Sequence, residues 1–455
     1  MSNELPSAAE YDHTGEAVEL LQALIRNECV NDGSPDSGDE VRNADLLQTY
    51  LEGGGLDVQR FTSRPGRTSV VARIEGSDPT APALCLMGHT DVVPVNASGW
   101  TQDPFGGELI NGEVWGRGSI DMLNMTASMA IAFKQLSTSG FRPRGTLIFF
   151  GVADEEAGGT WGAEWMVDHH WDAVGADYVV TEAGGWSQGK HDGAIRVPVM
   201  VAEKGIAGRR LRVRGTPSHG SRPYGADNAL IKAAAIITRL AEYRGEPKLD
   251  DVWRSEVAVM QVTDELKAAL IDPGRIREAL EQLPVLIASR CHAKSHNTFS
   301  PNTVQGGQKF NMIPDTVDIE VDIRSLPGVT QADIDRELHL ALGELAHHVE
   351  VVAPEFCRES TASSFGDNRL WESIERRTRS VHPGAELVPS LLTGGTDSPF
   401  FRKKGAIAYG TGIYSPTVTL ESFGSRFHGN DERIDAESLG LATDFWIGIA
   451  TDVLT

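Results

Sequence analysis

The sequence predicts an α/β protein in which a mostly parallel sheet, with helices on both faces, is interrupted by a smaller α+β domain. Three observations lead to this prediction. The chain has 455 residues, more than the roughly 250–300 at which a single hydrophobic core stops growing. Apolar strand-like runs alternate with helical periodicity up to residue 181, which is typical of a parallel sheet. The pattern changes near residue 200 and returns after about residue 355.

The first part of the chain contains the alternating elements. Helical periodicity covers residues 16–30 and 38–53, and glycines at 53–55 end the second helix. Further along, we expect strands at 69–74, 83–87, 146–152 and 178–181, and helices at 122–138 and 160–169.

The middle of the chain has a different order of elements. Residues 208–214 alternate apolar and basic side chains, as a half-exposed strand does. A helix (226–243), two strands (303–311 and 316–324), a helix (330–346) and a strand (348–353) follow. This order indicates an inserted ferredoxin-like α+β domain. Residues 244–296 are charged and largely helical, and form an addition to it. The predicted boundaries are therefore 1–202, 203–354 and 355–455.

Composition excludes some classes of partner. The formal net charge of −23 repels nucleic acid and anionic membranes. No run approaches the roughly 18 apolar residues of a membrane-spanning helix, and the polar, acidic N-terminus does not resemble a signal peptide. The four cysteines lack CxxC spacing, which favours free, buried thiols in a reducing cytoplasm. We therefore expect a cytoplasmic protein.

Histidine and acidic residues concentrate directly after predicted strands, where open α/β sheets bind their ligands. These residues are His89 and Asp91, Asp121 after a glycine-rich block, the run Asp154-Glu155-Glu156, and Glu182. A second histidine, His428, lies among polar loop residues near the C-terminus. Each segment alone has a structural explanation. His89 and Asp91 could be a buried pair that only hydrogen-bond to each other, Asp121 could cap a helix, and residues 154–156 could form a solvated acidic loop. Taken together, two imidazoles and several carboxylates suit zinc, with cobalt or manganese as substitutes.

These segments, in this order, resemble the co-catalytic zinc family of aminoacylase, acetylornithine deacetylase, succinyl-diaminopimelate desuccinylase, carboxypeptidase G and yeast carboxypeptidase S. The most specific stretches are GHTDVVP, WTQDPFGGE followed by GEVWGRGSIDM, and DEEAGG. The resemblance runs from about residue 15 to the end of the chain.

The resemblance implies two Zn²⁺ ions in each subunit. It identifies five residues as the metal ligands: His89, Asp121, Glu156, Glu182 and His428. Asp121 would bridge the ions, one of which also takes His89 and Glu182 while the other takes Glu156 and His428. Asp91 would orient His89, and Glu155 would be the general base.

The inserted segment is similar to the family's lid and dimerisation domain, which implies a homodimer. His219 in Ser218-His219-Gly220 would stabilise the oxyanion, often in the partner's site. Asn311 and Arg324 would hold the substrate carboxylate, and Gly394, Gly395 and Thr396 resemble a glycine-rich substrate loop. The resemblance assigns no role to Arg402, which follows that loop.

The implied activity is hydrolysis of an amide bond next to a free carboxylate, by a hydroxide bridged between two metal ions and with Glu155 as base. Two substrate classes remain open: short peptides, cleaved by a carboxypeptidase or dipeptidase, and N-acyl amino acids, cleaved by a deacylase. Glu182-Ala-Gly-Gly and the GGTDS loop favour the carboxypeptidase S-like branch, which includes both. A catalytically silent binding protein on the same fold is the alternative from a different class, and the presence of Glu155 argues against it.

Overall fold

The structure, a computed structural model, describes residues 13–53, 55–188, 190–191, 194–352 and 356–455. The first 12 residues of the N-terminus interpreted above, the middle glycine of the 53–55 run and the predicted strand end at 353 lie outside these ranges. The chain divides into two compact units. Unit 1 comprises 1–201, 363–389 and 396–455, and unit 2 comprises 202–362 and 390–395.

The strands, in chain order, are β1 (Val58–Arg64), β2 (Arg67–Ile74), β3 (Leu84–His89), β4 (Glu108–Ile110), β5 (Glu113–Trp115), β6 (Leu147–Val152), β7 (Tyr178–Thr181), β8 (Lys190–His191), β9 (Ala194–Glu203), β10 (Gly205–Ile206), β11 (Arg209–Arg214), β12 (Ser218–His219), β13 (Thr298–Gly306), β14 (Met312–Ile313), β15 (Thr316–Ser325), β16 (Val349–Val352), β17 (Thr361–Ala362), β18 (Glu386–Leu392), β19 (Ile407–Gly410) and β20 (Arg433–Asp435).

The α-helices are α1 (His13–Arg26), α2 (Val41–Glu52), α3 (Leu123–Thr138), α4 (Trp165–His169), α5 (Trp171–Val174), α6 (Ala229–Glu242), α7 (Asp251–Val259), α8 (Asp264–Leu270), α9 (Ile276–Glu281), α10 (Val285–Ser295), α11 (Gln331–Leu342), α12 (Arg369–Val381), α13 (Ser398–Lys403), α14 (Leu420–Arg426) and α15 (Ala436–Leu454).

The large sheet of unit 1 has the order β1-β2-β6-β3-β7-β19-β9. Its centre, β6-β3-β7-β19, is parallel, and antiparallel strands flank it on both sides. Strands β3 and β6 are buried along their whole length, as expected for strands that are covered on two faces. The predicted fold class is confirmed, and the flanking antiparallel strands complete it.

Helices cover both faces of this sheet. Phe149 and Phe150 are neighbours on β6, so their side chains point to opposite faces. The Phe149 ring contacts Phe133 of α3, with centroids 6.1 Å apart. The Phe150 ring contacts Phe401 of α13, at 6.3 Å. The apolar sequence of β6 is therefore explained by burial on each side.

Unit 2 contains the β-α-β-β-α-β order that was predicted for a ferredoxin-like domain. Its antiparallel sheet has the strand order β13-β15-β11-β16. The short strand β10 also pairs with β15, at Arg324 and Ser325, beyond the part of β15 that pairs with β11. Buried apolar residues of α6 and α11 pack on one face of this sheet. The first strand of the middle pair lies earlier than the predicted 303–311, because Gly307, in the left-handed conformation at φ +78°, follows the end of β13.

The predicted helical addition at 244–296 is present in unit 2. It consists of α7, α8, α9 and α10, which surround their own apolar cluster built on Trp253, Leu270, Ile276 and Leu280. Because this cluster is separate from the one under the sheet, the addition has a core of its own.

The remaining sequence expectations concern thiols and membranes. All four cysteines are free; Cys29, Cys85 and Cys291 are buried as expected, but Cys357 is exposed. No helix in the described part of the chain combines the length and apolarity that are needed to cross a bilayer.

Candidate active site

Two histidines and three carboxylates meet beyond the carboxyl ends of β3, β6 and β7. His89 Nε2 lies 3.3 Å from Asp121 Oδ1 and 3.8 Å from Glu182 Oε2. His428 Nε2 lies 2.7 Å from Asp121 Oδ2 and 3.6 Å from Glu156 Oε2. Asp121 therefore stands between the two imidazoles, with a different oxygen facing each.

The parallel sheet and a small second sheet produce this convergence. In the parallel register His89 lies opposite Val152, the last residue of β6, so the loops after both strands start at the same edge. Strand β20 pairs with β5, with Arg433 opposite Trp115. This pairing brings the C-terminal segment, with His428, beside the block that leads to Asp121.

Asp121 does not cap α3. The N-cap position is Met122, and it has no side-chain cap hydrogen bond. The Asp121 carboxylate is instead directed at the two histidines. The capping interpretation that the sequence left open for this residue is therefore excluded.

A buried glutamate that sequence reasoning did not single out holds the Asp121 loop. Glu432 Oε1 accepts hydrogen bonds from the backbone N–H groups of Ile120 (2.7 Å) and Asp121 (3.1 Å). Its other oxygen pairs with Arg117 at 2.6 Å, and both side chains are almost fully buried. Only the polar run around His428 pointed to this region, and nothing in it distinguished Glu432.

Asp91 connects the histidine segment to the acidic loop. His89 Nδ1 lies 2.9 Å from the Asp91 carbonyl, which can only accept, so Nδ1 donates to it and Nε2 is the ring nitrogen that faces the carboxylates. The Asp91 carboxylate accepts hydrogen bonds from the backbone N–H groups of Glu155 (3.3 Å) and Glu156 (3.1 Å), and from Asn31 (2.8 Å). One buried carboxylate thus positions both loops.

The three consecutive acids have separate environments. Asp154, at φ +72°, turns away from the cluster and lies 3.2 Å from Arg67, which also pairs with Glu40 at 2.6 Å. The other two, Glu155 and Glu156, face the histidines. A solvated acidic loop is therefore excluded, because Asp154 pairs with Arg67 and Glu156, with only 6% of its side chain exposed, faces His428.

The electrostatics of the cluster favour bound cations. Burial and the charge of neighbouring carboxylates raise the pKa of Glu155, Glu156 and Glu182 above the ordinary range. Hydrogen bonds to Asp121 and Glu156 raise the pKa of His428 to about 10. Against the effect of burial, the two histidines hold the pKa of Asp121 low. The site concentrates negative charge that protons or metal ions must offset.

The donor set fits a transition-metal ion. His89, Asp121 and Glu156 each offer one ligand atom, and these atoms all lie within 4.8 Å of one another; His89, Glu155 and Glu182 form a second such group. Glu156 Oε1 is buried and has no hydrogen-bond partner among the described residues. Mixed imidazole and carboxylate donors of this kind suit zinc.

Of the predicted substrate residues in unit 2, His219 and Asn311 lie together. His219 pairs with Met312 in the short β12–β14 ladder, and the Gly220 N–H donates to the Asn311 carbonyl at 2.8 Å. Arg324 lies near the far end of β15 and donates to Asp322 at 2.8 Å. One copy of unit 2 thus places Arg324 apart from the other two residues.

The glycine-rich loop spans the boundary of the units. Gly394 and Gly395 belong to unit 2, and Thr396 belongs to unit 1. Nothing lies within 4 Å of the position of a Cβ on Gly394, which leaves that backbone open. Thr396 is buried, and its hydroxyl accepts a hydrogen bond from the Ser398 N–H at 3.1 Å.

Arg402, which the sequence left unassigned, is a structural residue. It is buried and donates to the Ala408 carbonyl at 2.7 Å, to the Ser363 hydroxyl at 3.2 Å and to the Met200 carbonyl at 3.4 Å. Ala408 and Met200 belong to the neighbouring strands β19 and β9 of the large sheet, and Ser363 directly follows β17. Its guanidinium therefore stabilises unit 1 and is committed to protein acceptors.

Comparison with known proteins extends these findings. The model of peptidase family M20/M25/M40 matches residues 85–452. Mouse aminoacylase-1 is 23% identical over 436 residues, covering 95% of this chain and 94% of that protein. Succinyl-diaminopimelate desuccinylase of Gluconacetobacter diazotrophicus is 31% identical over 266 residues, covering 57% and 65%.

Solved structures agree on the fold. An M20 family metallo-carboxypeptidase from Sulfolobus solfataricus has a TM-score of 0.71 at 18% identity, covering 96% of this chain and 99% of that one. Human carnosine dipeptidase 1 has a TM-score of 0.66 at 17% identity, covering 97% and 96%.

The fold, the cluster and these matches define the class of protein, a hydrolase that acts on amide bonds. The chain belongs to peptidase family M20/M25/M40. The resemblance identified from the sequence motifs is confirmed.

Proposed function

We propose that this chain is a zinc-dependent hydrolase that cleaves the amide bond next to a free carboxylate, as a carboxypeptidase or dipeptidase does. The observation that carries the proposal is the position of Glu155. This partly buried glutamate lies beside the His89 and Glu182 ligand atoms, and its backbone N–H donates to the Asp91 carboxylate at 3.3 Å. Five other side chains, His89, Asp121, Glu156, Glu182 and His428, can supply the metal ligands, which leaves the Glu155 carboxylate available as a base.

We assign the ligands of two Zn²⁺ ions to the cluster, with Co²⁺ or Mn²⁺ as substitutes. His89 and Glu182 would hold one ion, Glu156 and His428 the other, and Asp121 both. When bound, the ions supply Lewis-acid activation of a water and of the scissile carbonyl. Glu432, with its hold on the Asp121 loop, would keep the shared ligand in place.

Glu155 would accept the proton of the attacking water and deliver it to the leaving amine. Burial and the negative charge of Glu182 raise the pKa of Glu155, which makes this carboxylate a stronger proton acceptor than an exposed glutamate. The hydrogen bond from its backbone N–H to Asp91 fixes the turn on which it lies.

Recognition of the substrate carboxylate is proposed for residues of unit 2. Arg324 offers a guanidinium that is partly exposed and shared with one acid, Asp322. Asn311 Oδ1 is buried and lacks a hydrogen-bond partner among the described residues. His219 is exposed, and only Ser221 occupies its Nδ1 among the residues described, at 2.8 Å.

A homodimer would explain how these residues act together. Strand β15 begins at Thr316, close in sequence to Asn311, and Arg324 lies eight residues further along it. At the rise of a β-strand, eight residues span about 27 Å. A small substrate cannot span that length, so we propose that His219 and Asn311 serve the site of a second copy. Exposed apolar side chains on this unit, Tyr224, Ile231 and Phe310 among them, together with the edge strand β13, suit such an interface.

An N-acyl-amino-acid deacylase is the second candidate. It is favoured by the match to aminoacylase-1 along nearly the whole length of both proteins. Both activities need the same metal ions, base and carboxylate anchor, and they differ in the acyl group. Free, mostly buried thiols support a location in the cytoplasm for either one.

A substrate screen tests the function directly. Zinc- or cobalt-loaded protein is assayed against dipeptides and N-acyl amino acids for release of free amine, with Glu155→Ala as the inactive control. Activity on dipeptides or on acyl amino acids selects between the two candidates. Activity on neither, with two ions bound, would favour the silent binding protein.

A mixing experiment tests the homodimer. His219→Ala and Glu155→Ala variants are inactive alone, but a heterodimer that shares His219 across subunits has one intact site of its two. Random exchange of subunits at equal concentration should restore about a quarter of wild-type activity. No recovery, with heterodimers verified by mass spectrometry, would place His219 in the site of its own subunit.

A further inference from the structure

The helical addition of unit 2 contains a cavity that the proposed reaction does not use. Its volume is about 580 Å³, and it lies between α9, α10 and the start of β13. Cavities that hold small organic ligands usually measure about 300–1,000 Å³. We call it the insertion cavity.

One side of the insertion cavity is basic. Arg244, Arg277, His292 and His296 line it, with Glu281 as the acidic lining residue. Lys204, behind this wall, donates to the His296 carbonyl at 2.9 Å. The chain as a whole has more acidic than basic residues, 64 against 41, whereas basic residues outnumber acidic ones in the lining of this cavity. The positive charge of this wall comes from the two arginines, because burial lowers the pKa of His292 and lowers that of His296 to about 4. Two guanidinium groups in one wall attract an anion.

The basic groups are not neutralised by protein partners. Arg277 forms no hydrogen bond or ion pair within the described ranges, and Arg244 donates only to the carbonyls of Ala241 and Tyr243, at 2.8 and 3.2 Å. His292 and His296 stack with centroids 4.3 Å apart. His292 Nε2 is buried and lacks a hydrogen-bond partner in the described structure, a deficiency that a bound ligand would correct.

The other side of the insertion cavity is apolar. Leu280, Leu283 and Ala288 line it, and Val285 lies at its rim with 86% of its surface exposed. The next two residues, Leu286 and Ile287, are also exposed. Three consecutive exposed apolar residues at the start of a helix are unusual unless something covers them.

We propose that the insertion cavity binds an organic monoanion with an apolar body, such as a medium-chain carboxylate. The anionic group would lie against Arg244, Arg277 and His292, and the hydrocarbon part against Leu280, Leu283 and Val285. The two walls match the two halves of such a molecule. The cavity shares no residue with the histidine and carboxylate cluster, since all its lining residues lie in unit 2.

Titration calorimetry of the full-length protein with decanoate tests this proposal. Decanoate should bind, and decanol, which lacks the charge, should bind at least tenfold more weakly. An Arg244→Ser, Arg277→Ser double variant should lose at least tenfold in affinity, because both side chains are exposed and their removal does not disturb the core. Arg290→Ser, an exposed arginine on α10 outside the cavity, is the matched control and should bind like the wild type.

A filling variant supplies the second measurement. Ala288→Phe places a ring in the cavity and should abolish decanoate binding while the circular dichroism spectrum is retained. Wild-type affinity in both the double arginine variant and Ala288→Phe would locate decanoate elsewhere, for example at the metal cluster, and would overturn the proposal. Absence of decanoate binding to the wild type at millimolar concentration would also overturn it.

Discussion

Glu432 and Asp121 are 311 residues apart in sequence, and the Glu432 carboxylate accepts a hydrogen bond from the Asp121 N–H at 3.1 Å. The same oxygen binds the N–H of Ile120 at 2.7 Å. The loop that carries the shared carboxylate of the cluster is thereby anchored to the segment that carries His428. Both sides of the site depend on one buried acid.

Replacing Glu432 by alanine should weaken both fold and site. The change leaves the buried Arg117 charge without its partner, which typically costs about 3–5 kcal/mol, and releases the Asp121 loop. We expect a lower free energy of unfolding in urea and reduced zinc content after dialysis. Glu113→Ala, which removes a partly exposed glutamate paired with Arg433 at 3.1 Å, should cost only about 0–1 kcal/mol. Equal losses in the two variants would contradict the role of Glu432.

Replacing Glu155 by glutamine should separate catalysis from metal binding. The amide keeps the size of the side chain but cannot accept the proton, so kcat should fall by about 100-fold or more. Zinc content and melting temperature should stay near wild type. Glu421→Gln, on the exposed face of α14, is the control. Wild-type kcat in Glu155→Gln would exclude this residue as the base.

Replacing His89 by alanine should lower metal content. Its Nε2 lies within reach of Asp121 and Glu182, and alanine supplies no ligand atom at this position. Elemental analysis after zinc loading and gel filtration should show fewer ions per chain. His339→Ala, an exposed histidine on α11, should retain the wild-type amount. Unchanged zinc in His89→Ala would remove it from the ligand set.

Replacing Lys204 by methionine should alter the pH dependence of stability. Burial lowers the pKa of Lys204 to about 7 from 10.5. Between pH 7 and 10.5 this lysine is protonated in the unfolded chain and neutral in the folded protein. The free energy of unfolding therefore rises with pH, by up to roughly 1.4 kcal/mol per pH unit. Below about pH 7 both states are protonated and the slope vanishes.

Urea unfolding at pH 7.5 and 9.5 measures this slope. Lys204→Met should show a smaller increase over that interval than the wild type. Lys309→Met, at an exposed position in the same unit, should behave like the wild type. An identical slope in Lys204→Met would show that this lysine titrates alike in both states.

The local sequence pattern was sufficient to predict the strands on which the site is built and the sheet edge at which it lies. The apolar runs of β3, β6 and β7 each end where polar residues begin, so their ends were placed within two residues. Parallel strands share one edge, and this placed His89, Glu155 and Glu182 at the same edge. The pairing of individual ligands came from the resemblance to a family, since spacing alone left capping and solvated-loop explanations open.

Contacts between distant charges were beyond the local pattern. Arg67 pairs with Glu40 and Asp154, and these three residues lie on different elements. Glu432 pairs with Arg117, which is 315 residues away in the sequence. No periodicity encodes such pairs. Arg402 is similar, because its acceptors are mostly backbone carbonyls of strands, which no side-chain pattern indicates.

Asp91 has a broader consequence for how this centre can change. One carboxylate lies 3.6 Å from the His89 ring and holds the amides of the two glutamates that follow β6. A substitution that shifts it moves a histidine and two acids at once, so metal preference and proton transfer cannot be adjusted separately from this position. Efforts to redirect the chemistry should leave Asp91 untouched and vary the residues that meet the substrate.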